Sequence, residues 1–210
     1  MENRINRLLA SADGMAFFIG SYPNIFYYSG FTSEDAFLLI TPDKRLLITD
    51  SRYTIQAKEQ AKDFEVLDIA QGFQKIFESI EEQVIGFEEN YMTVNEYERF
   101  QSALKDGQHF QPAQAIINAP RKIKDQTEIA KIAEAERLGD MAFSYVLDKI
   151  KPGISENEIA LELEFFMKKN GASALSFDTI SASGKRSAMP HGRASDKLIE
   201  KGDFLTLDFG

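Results

Sequence analysis

Two polar side chains in the stretch 176–210 have the type and setting to do chemistry. His191, one of only two histidines, stands between Pro190 and Gly192, and Asp208 is enclosed by Phe204, Leu205, Leu207 and Phe209. An aspartate inside an apolar strand run is costly unless a cation or strong donors satisfy it. Strand alternation offers a second way out: Leu205, Leu207 and Phe209 share one face while Thr206 and Asp208 share the other. On its own the run therefore also describes an acid capping a strand over solvent. An imidazole on a restricted, glycine-flanked loop can donate to negative charge developing on a bound molecule. Turns at Gly184 and at Gly202-Asp203 lie in the same short stretch, one before each residue.

Composition narrows the classes. The chain has 210 residues, a net charge of −9 and no cysteine. That length buries a proper core in one domain or two. The acidic balance argues against a nucleic-acid partner, which needs a basic surface. Without cysteine there is no disulfide framework and no thiolate metal site, so any metal must be held by carboxylates and imidazole, which suits Mn²⁺, Mg²⁺, Co²⁺ or Zn²⁺. The N-terminal apolar run is too short for a signal peptide and no later run approaches a membrane span, so a soluble, cytoplasmic protein with no membrane contact is expected.

The elements that must carry these residues come next. Ile5–Ala10 reads as a short amphipathic helix ended by Asp13-Gly14, and Met15–Ile19 as a strand. Residues 21–24 read as a turn, with Ile25–Tyr28 a strand closed by Gly30. Ala36–Ile40 and Leu46–Thr49 form a hairpin across Pro42-Asp43. Helices at 52–61, 73–82 and 92–104 alternate with strands at 64–69 and 84–87, which argues an α/β layer domain. Its aromatic residues, Phe17, Phe18, Phe26, Phe37, Phe64, Phe77 and Phe87, are expected in the core. His109, with no partner at metal spacing, reads as a surface or capped residue. Residues 111–123, with Pro112 and Pro120 and no clear periodicity, read as an inter-domain connector. A long helix over 125–150 follows, its apolar positions recurring from Ile129 and Ile132 to Val146 and Ile150. Ser155 with Glu158 opens a second helix through a capping box. This αα-hairpin needs a sheet to lie on, and Phe177–Ala182 and Phe204–Phe209 are the strands on offer.

The segment FDTISASGKRSAMPHGRASDK followed by IEKGDFLTLDFG closely resembles the aminopeptidase P and proline dipeptidase family, metallopeptidases of the pita-bread fold. YYSGF and ITDSRY resemble that family's non-catalytic domain, and KPGISENEIALELE resembles the first helix pair of its catalytic domain. A kinase reading of DFG fails, because no glycine-rich loop or HRD segment accompanies it.

The resemblance implies an N-terminal mixed-sheet α/β domain over 1–122 and the first part of a pita-bread α+β catalytic domain over 123–210. It implies hydrolysis of the peptide bond preceding proline, by a Xaa-Pro dipeptidase or an aminopeptidase P. The expected partner is a peptide with proline at its second position, bound by a homodimer. Carried over residue by residue, His191 is expected to stabilise the transition state beside the substrate, and Asp208 to be the first ligand of two divalent ions, manganese ahead of cobalt or zinc. Arg186, Ser187, Arg193 and Asp196 either order the histidine loop or meet substrate, and Asp178 reads as structural. The family's remaining ligands, an aspartate, a histidine and two glutamates, come after the position of Gly210, so the chain alone is expected to be inactive and its last strand to be an exposed edge. Two other classes stay open: a metal-free, creatinase-like amidinohydrolase, and a non-catalytic binding module.

Overall fold

Strands buried on both faces read as unbroken apolar runs, and this chain has several. The computed structural model describes residues 2–12 and 14–210; Asp13, placed by the sequence at the end of the first helix, lies outside them. The chain divides into two compact units, one up to Ile123 and one from Lys124 to Gly210.

The first unit runs α1 (Glu2–Leu9), β1 (Met15–Ile19), α2 (Tyr22–Ser29), β2 (Ala36–Ile40), β3 (Arg45–Thr49), α3 (Thr54–Gln60), β4 (Glu65–Asp68), α4 (Phe73–Glu78), β5 (Val84–Phe87), α5 (Val94–Gln101), β6 (His109–Pro112) and α6 (Gln114–Lys122). The strands form one mixed sheet in the order β4-β3-β2-β1-β5-β6. β1, β2 and β3 are antiparallel neighbours, and β4, β5 and β6 join in parallel. Alternation along β1 divides the core. Phe17 and Ile19 pack with Leu38, Ile40 and Leu47 beneath Ile5, Leu8, Ile25, Tyr28 and Ile117 of the helices. Ala16 and Phe18 point the other way, against Leu39, Ile48, Ile85, Phe77 and Phe100. Phe18 stacks on Phe37 at 5.2 Å and meets Phe77 and Phe100 edge-on at 5.4 and 5.0 Å. Each such ring, taken fully from water, contributes roughly 1.5–3 kcal/mol before the entropy of ordering it is subtracted.

Two local expectations are overturned here. Tyr22–Ser29 is a helix, not a turn and a strand. A four-residue apolar run does not distinguish the two, and the flanks decide it: Pro23 stands in the first turn, where its missing N–H costs nothing, and Gly30 closes the helix at φ 78°. Phe26, expected in the core, consequently turns outward and is 46% exposed. Residues 111–123 are not a free connector but the end of β6 and the whole of α6. Pro112 is tolerated as the last strand residue, and Pro120 shares a buried helix face with Ile117.

Glu88, immediately after β5, is buried to 1% exposure. Its carboxylate accepts from the Gly20 and Ser21 amides at 2.8 Å each, from the Ser21 hydroxyl at 2.5 Å and from Asn24 Nδ2 at 2.6 Å. Asn24 also donates to Asn118 and accepts from Arg121, which ties α2 to α6. Glu88→Ala should therefore destabilise this unit by about 3–5 kcal/mol, because several buried donors lose their only acceptor. Urea unfolding followed by far-ultraviolet circular dichroism measures it; a loss below about 1 kcal/mol would contradict this role.

The second unit contains α7 (Gln126–Leu147), α8 (Glu156–Lys169), β7 (Ile180–Ser183) and β8 (Leu205–Asp208). Asp125 and Ser155 each cap their helix through a full capping box, with Glu128 and Glu158. β7 and β8 form an antiparallel pair. Leu205, Leu207 and Phe209 pack on a core of Ala142, Val146, Ile159, Leu163 and Met167, as strand alternation predicts. The first strand begins later than the sequence suggests, at Ile180, because β8 pairs only as far as Asp208 opposite it. The apolar stripe of α7 is buried only in its C-terminal half: Ile129 and Ile132 are half exposed, while Ala142 and Val146 are fully covered.

Candidate active site

The two residues singled out for chemistry meet at one cleft. β8 turns Leu205 and Leu207 inward and leaves Thr206 and Asp208 on its open face. Asp208 is paired through its backbone with Ile180, and its carboxylate has no hydrogen-bond or ion-pair partner among the described residues. His191 lies exposed on a tight turn closed by Met189 N–H donating to Arg186 O and Gly192 N–H donating to Met189 O. Gly192 beneath it is buried. A side chain there would bring a Cβ to 2.9 Å from the Ala182 Cβ, which explains why this turn takes glycine. Phe177, Asp178, Pro190 and Arg193 complete the cleft around His191 and Asp208, with a volume of about 480 Å³.

A carboxylate that the sequence reading missed holds this arrangement in place. Glu156 opens α8 and is fully buried. It accepts from the Ser183 amide at 2.6 Å, the Ser183 hydroxyl at 2.9 Å, the Ser195 hydroxyl at 2.6 Å and Arg186 Nε at 3.0 Å. The backbone of the same helix end binds the same loop: the Glu156 and Asn157 amides donate to Lys197 O and Ser195 O, both at 3.0 Å. The first turn of any helix has N–H groups without intrahelical acceptors, and here the segment after the histidine turn supplies them. Burial pushes the Glu156 carboxyl up, but hydrogen bonds from Ser195, Ser183 and Arg186 outweigh it and hold the group below its ordinary range. Nothing in the sequence marks Glu156 among the acids of SENEIALELE, since its partners arrive from residues 183–195 only in the folded chain.

The residues flanking His191 divide by role. Arg186 donates to Glu156 and to Arg193 O, Ser187 to Gly184 O, and Asp196 accepts from Asn157, so these three order the loop. Arg193 instead turns its guanidinium to the cleft, where Nη2 lies 2.8 Å from the Asp178 carboxylate. Asp203 receives Lys197 Nζ at 2.7 Å, which holds its carboxyl low, and the Glu200 amide. It thereby fixes the turn into β8. His109 stays outside the site, as an exposed residue at the start of β6 in the other unit.

With this geometry in view, comparison with known proteins is decisive. A model of the Creatinase/Prolidase N-terminal domain matches residues 3–123, and a model of metallopeptidase family M24 matches residues 130–210. The chain belongs to the prolidase and aminopeptidase P family. Among members of this family, the uncharacterized peptidase YqhT of Bacillus subtilis is 44% identical over 202 residues, covering 94% of this chain and 56% of that protein. The Xaa-Pro dipeptidase of Pyrococcus horikoshii is 34% identical, covering 100% of this chain and 60% of that protein. In three dimensions the chain superposes on the Xaa-Pro dipeptidase from Bacillus anthracis with a TM-score of 0.91 at 38% identity, again covering 100% of this chain and 60% of that one. The X-Pro aminopeptidase of Thermotoga maritima gives 0.87 at 38% identity, with the same coverage. The mixed α/β first unit and the αα-plus-hairpin second unit are thus this family's N-terminal domain and part of its pita-bread domain. The chain spans less than two thirds of the length of these relatives.

Divalent metal ions are the cofactors that a metallopeptidase family implies. Asp208 suits such an ion in kind, being a hard oxygen donor without a protein partner in a cleft free of thiols. The number of donors does not suffice: among the described residues no three His, Asp or Glu side chains come together in a way that could hold a metal ion.

Glu156 yields a two-part expectation. Its carboxyl titrates lower folded than unfolded, so on acidification the unfolded chain takes up the proton first. The stabilisation is therefore fully present above the ordinary glutamate value of 4.5 and is lost as pH falls through the lower folded value. Glu156→Gln should destabilise the second unit by about 3–5 kcal/mol at neutral pH and flatten the acid limb of its stability curve. Denaturant midpoints measured from pH 7 down to pH 3 test both, and an unchanged acid limb would refute the assignment.

Proposed function

We propose that this chain forms part of a metal-dependent peptidase that cleaves the bond preceding proline, with His191 and Asp208 as two of its working side chains. The observation that carries the reading is their convergence: an uncommitted carboxylate and a glycine-seated imidazole face one cleft, in a chain of this family.

His191 donates a ring N–H to the carbonyl oxygen of the scissile bond as negative charge develops there. Removing one such donor costs about 10²–10³ in rate. Asp208 holds a divalent ion once further ligands complete its set; manganese is the first choice, cobalt or zinc the alternatives. When bound, such ions supply a water of lowered pKa. Phe177 and Pro190 offer apolar wall on which a pyrrolidine ring packs, and the exposed imidazole rim keeps the carbonyl end polar. By itself the 210-residue chain is proposed to be inactive, because among its described residues no three His, Asp or Glu side chains come together to hold a metal ion. We further propose a cytoplasmic homodimer, an assignment that rests on the family resemblance; no described helix is long and apolar enough to cross a membrane.

The protein purified from its source should hydrolyse a Xaa-Pro dipeptide, lose that activity to a chelator and regain it with Mn²⁺. Asp208→Asn should abolish metal-dependent turnover, and His191→Ala should lower kcat by about a hundredfold or more with little change in fold. Hydrolysis that survives the chelator unchanged would refute the metal-dependent mechanism.

A further inference from the structure

His191 and Asp208 rest on separate segments, the first on the turn that Arg186 opens and the second on β8, which follows the turn at Asp203. One side chain joins those segments. Lys197 Nζ donates to Asp203 Oδ2 at 2.7 Å, to Ser183 Oγ at 2.9 Å and to Leu198 O at 3.0 Å. An ammonium has three N–H donors, and here each meets its own acceptor. The Ser183 hydroxyl, fully buried, passes the connection on by donating to Glu156 at 2.9 Å. Glu156 in turn accepts from Arg186 Nε at 3.0 Å.

The result is a line of alternating charge, Asp203, Lys197, Glu156 and Arg186, with Ser183 as its neutral joint. It runs from the turn before β8 to the start of the histidine turn. The Lys197 and Asp203 side chains are only 28% and 16% exposed, so water screens the pair less than it would at an open surface. The fit is close at the Asp203 end. A Cβ on Gly184 would come within 2.7 Å of Asp203 Oδ1, and the Gly184 amide donates to Phe204 O. None of the five residues is among the described residues that line the cleft, so the line acts on His191 and Asp208 only through the backbone that carries them. A lysine kept for solubility leaves its donors to water; this one has placed all three on protein. We infer that Lys197 is a positioning residue for the peptidase reaction: it locks the turn into β8 to the histidine turn and so sets the separation of His191 and Asp208 across the cleft. The inference rests on the peptidase reading for the reaction that this separation serves. It goes beyond that reading by assigning a role to a residue outside the cleft.

The test replaces Lys197 by Met, which keeps most of the stem and removes the charge, and by Arg, which keeps the charge. Where the wild-type protein hydrolyses a Xaa-Pro dipeptide, Lys197→Met should lower kcat by about tenfold to a hundredfold, as a small misplacement remote from the chemistry does. KM should change by less than about threefold. Lys197→Arg should recover part of the loss. Adding Arg186→Gln to Lys197→Met should cost less than the product of the two single losses, because both cut one line. Circular dichroism gives the folded fraction by which each rate is divided. The 210-residue chain supplies a readout that needs no turnover: Lys197→Met should shift the backbone amide NMR resonances of both residues 186–192 and residues 205–208. A rate per folded molecule equal to wild type, losses that multiply in the double variant, or amide shifts that reach only one of the two segments would each overturn the assignment. Amide shifts in both segments, in a protein that hydrolyses no Xaa-Pro bond, would sink the peptidase reading and leave Lys197 as the link between them.

Discussion

A buried carboxylate must be satisfied on every side, and both units of this chain are built around one that is. Among the described residues, Glu88 and Glu156 are the two acids almost fully removed from water. Neither is neutralised by a dense cluster of cations. Glu88 is met by two amides, a hydroxyl and a side-chain amide, and Glu156 by an amide, two hydroxyls and a single guanidinium. Donors of this kind come from particular backbone positions, so the carboxylate fixes the path of whatever segment supplies them. In the first unit that segment is the entry to α2; in the second it is the strand end and loop that lead to His191.

The division of labour around the cleft follows from this constraint. Side chains that turn toward Glu156, namely Ser183, Arg186 and Ser195, are committed to holding the loop. His191 turns away from Glu156 and lies exposed at the cleft, and Arg193 turns away to meet Asp178. β8 repeats the pattern at single-residue resolution: Leu205 and Leu207 anchor the strand in the core, and the carboxylate of Asp208, next after them, is left without a partner among the described residues. Catalytic groups need fixed positions with open valences, and alternation supplies both from one strand.

Much of this was legible in the sequence, for identifiable reasons. Strands β1, β2, β3 and β5 of the first unit carry apolar runs of strand length, and the capping boxes at Asp125 and Ser155 mark their helix starts without help from tertiary structure. The inward set of β8 was readable because a period of two is unambiguous when only one face is apolar. Tyr22–Ser29 misled because four apolar residues fit either period, and residues 111–123 because two prolines look like punctuation even where one ends a strand and the other rides a buried helix face. Glu156 was invisible for a different reason. Its role depends on donors that lie as many as 39 residues further along the chain, and no local pattern encodes that distance.

Because the amides that open α8 are bonded to the loop rather than to water, the two cannot move independently. Moving residues 195–197 away would strip the Glu156 and Asn157 amides of their acceptors, even with the Ser155 cap on Glu158 still in place. The exchange of those amides with solvent is therefore a gauge of how often the segment just beyond the histidine turn lets go of the helix.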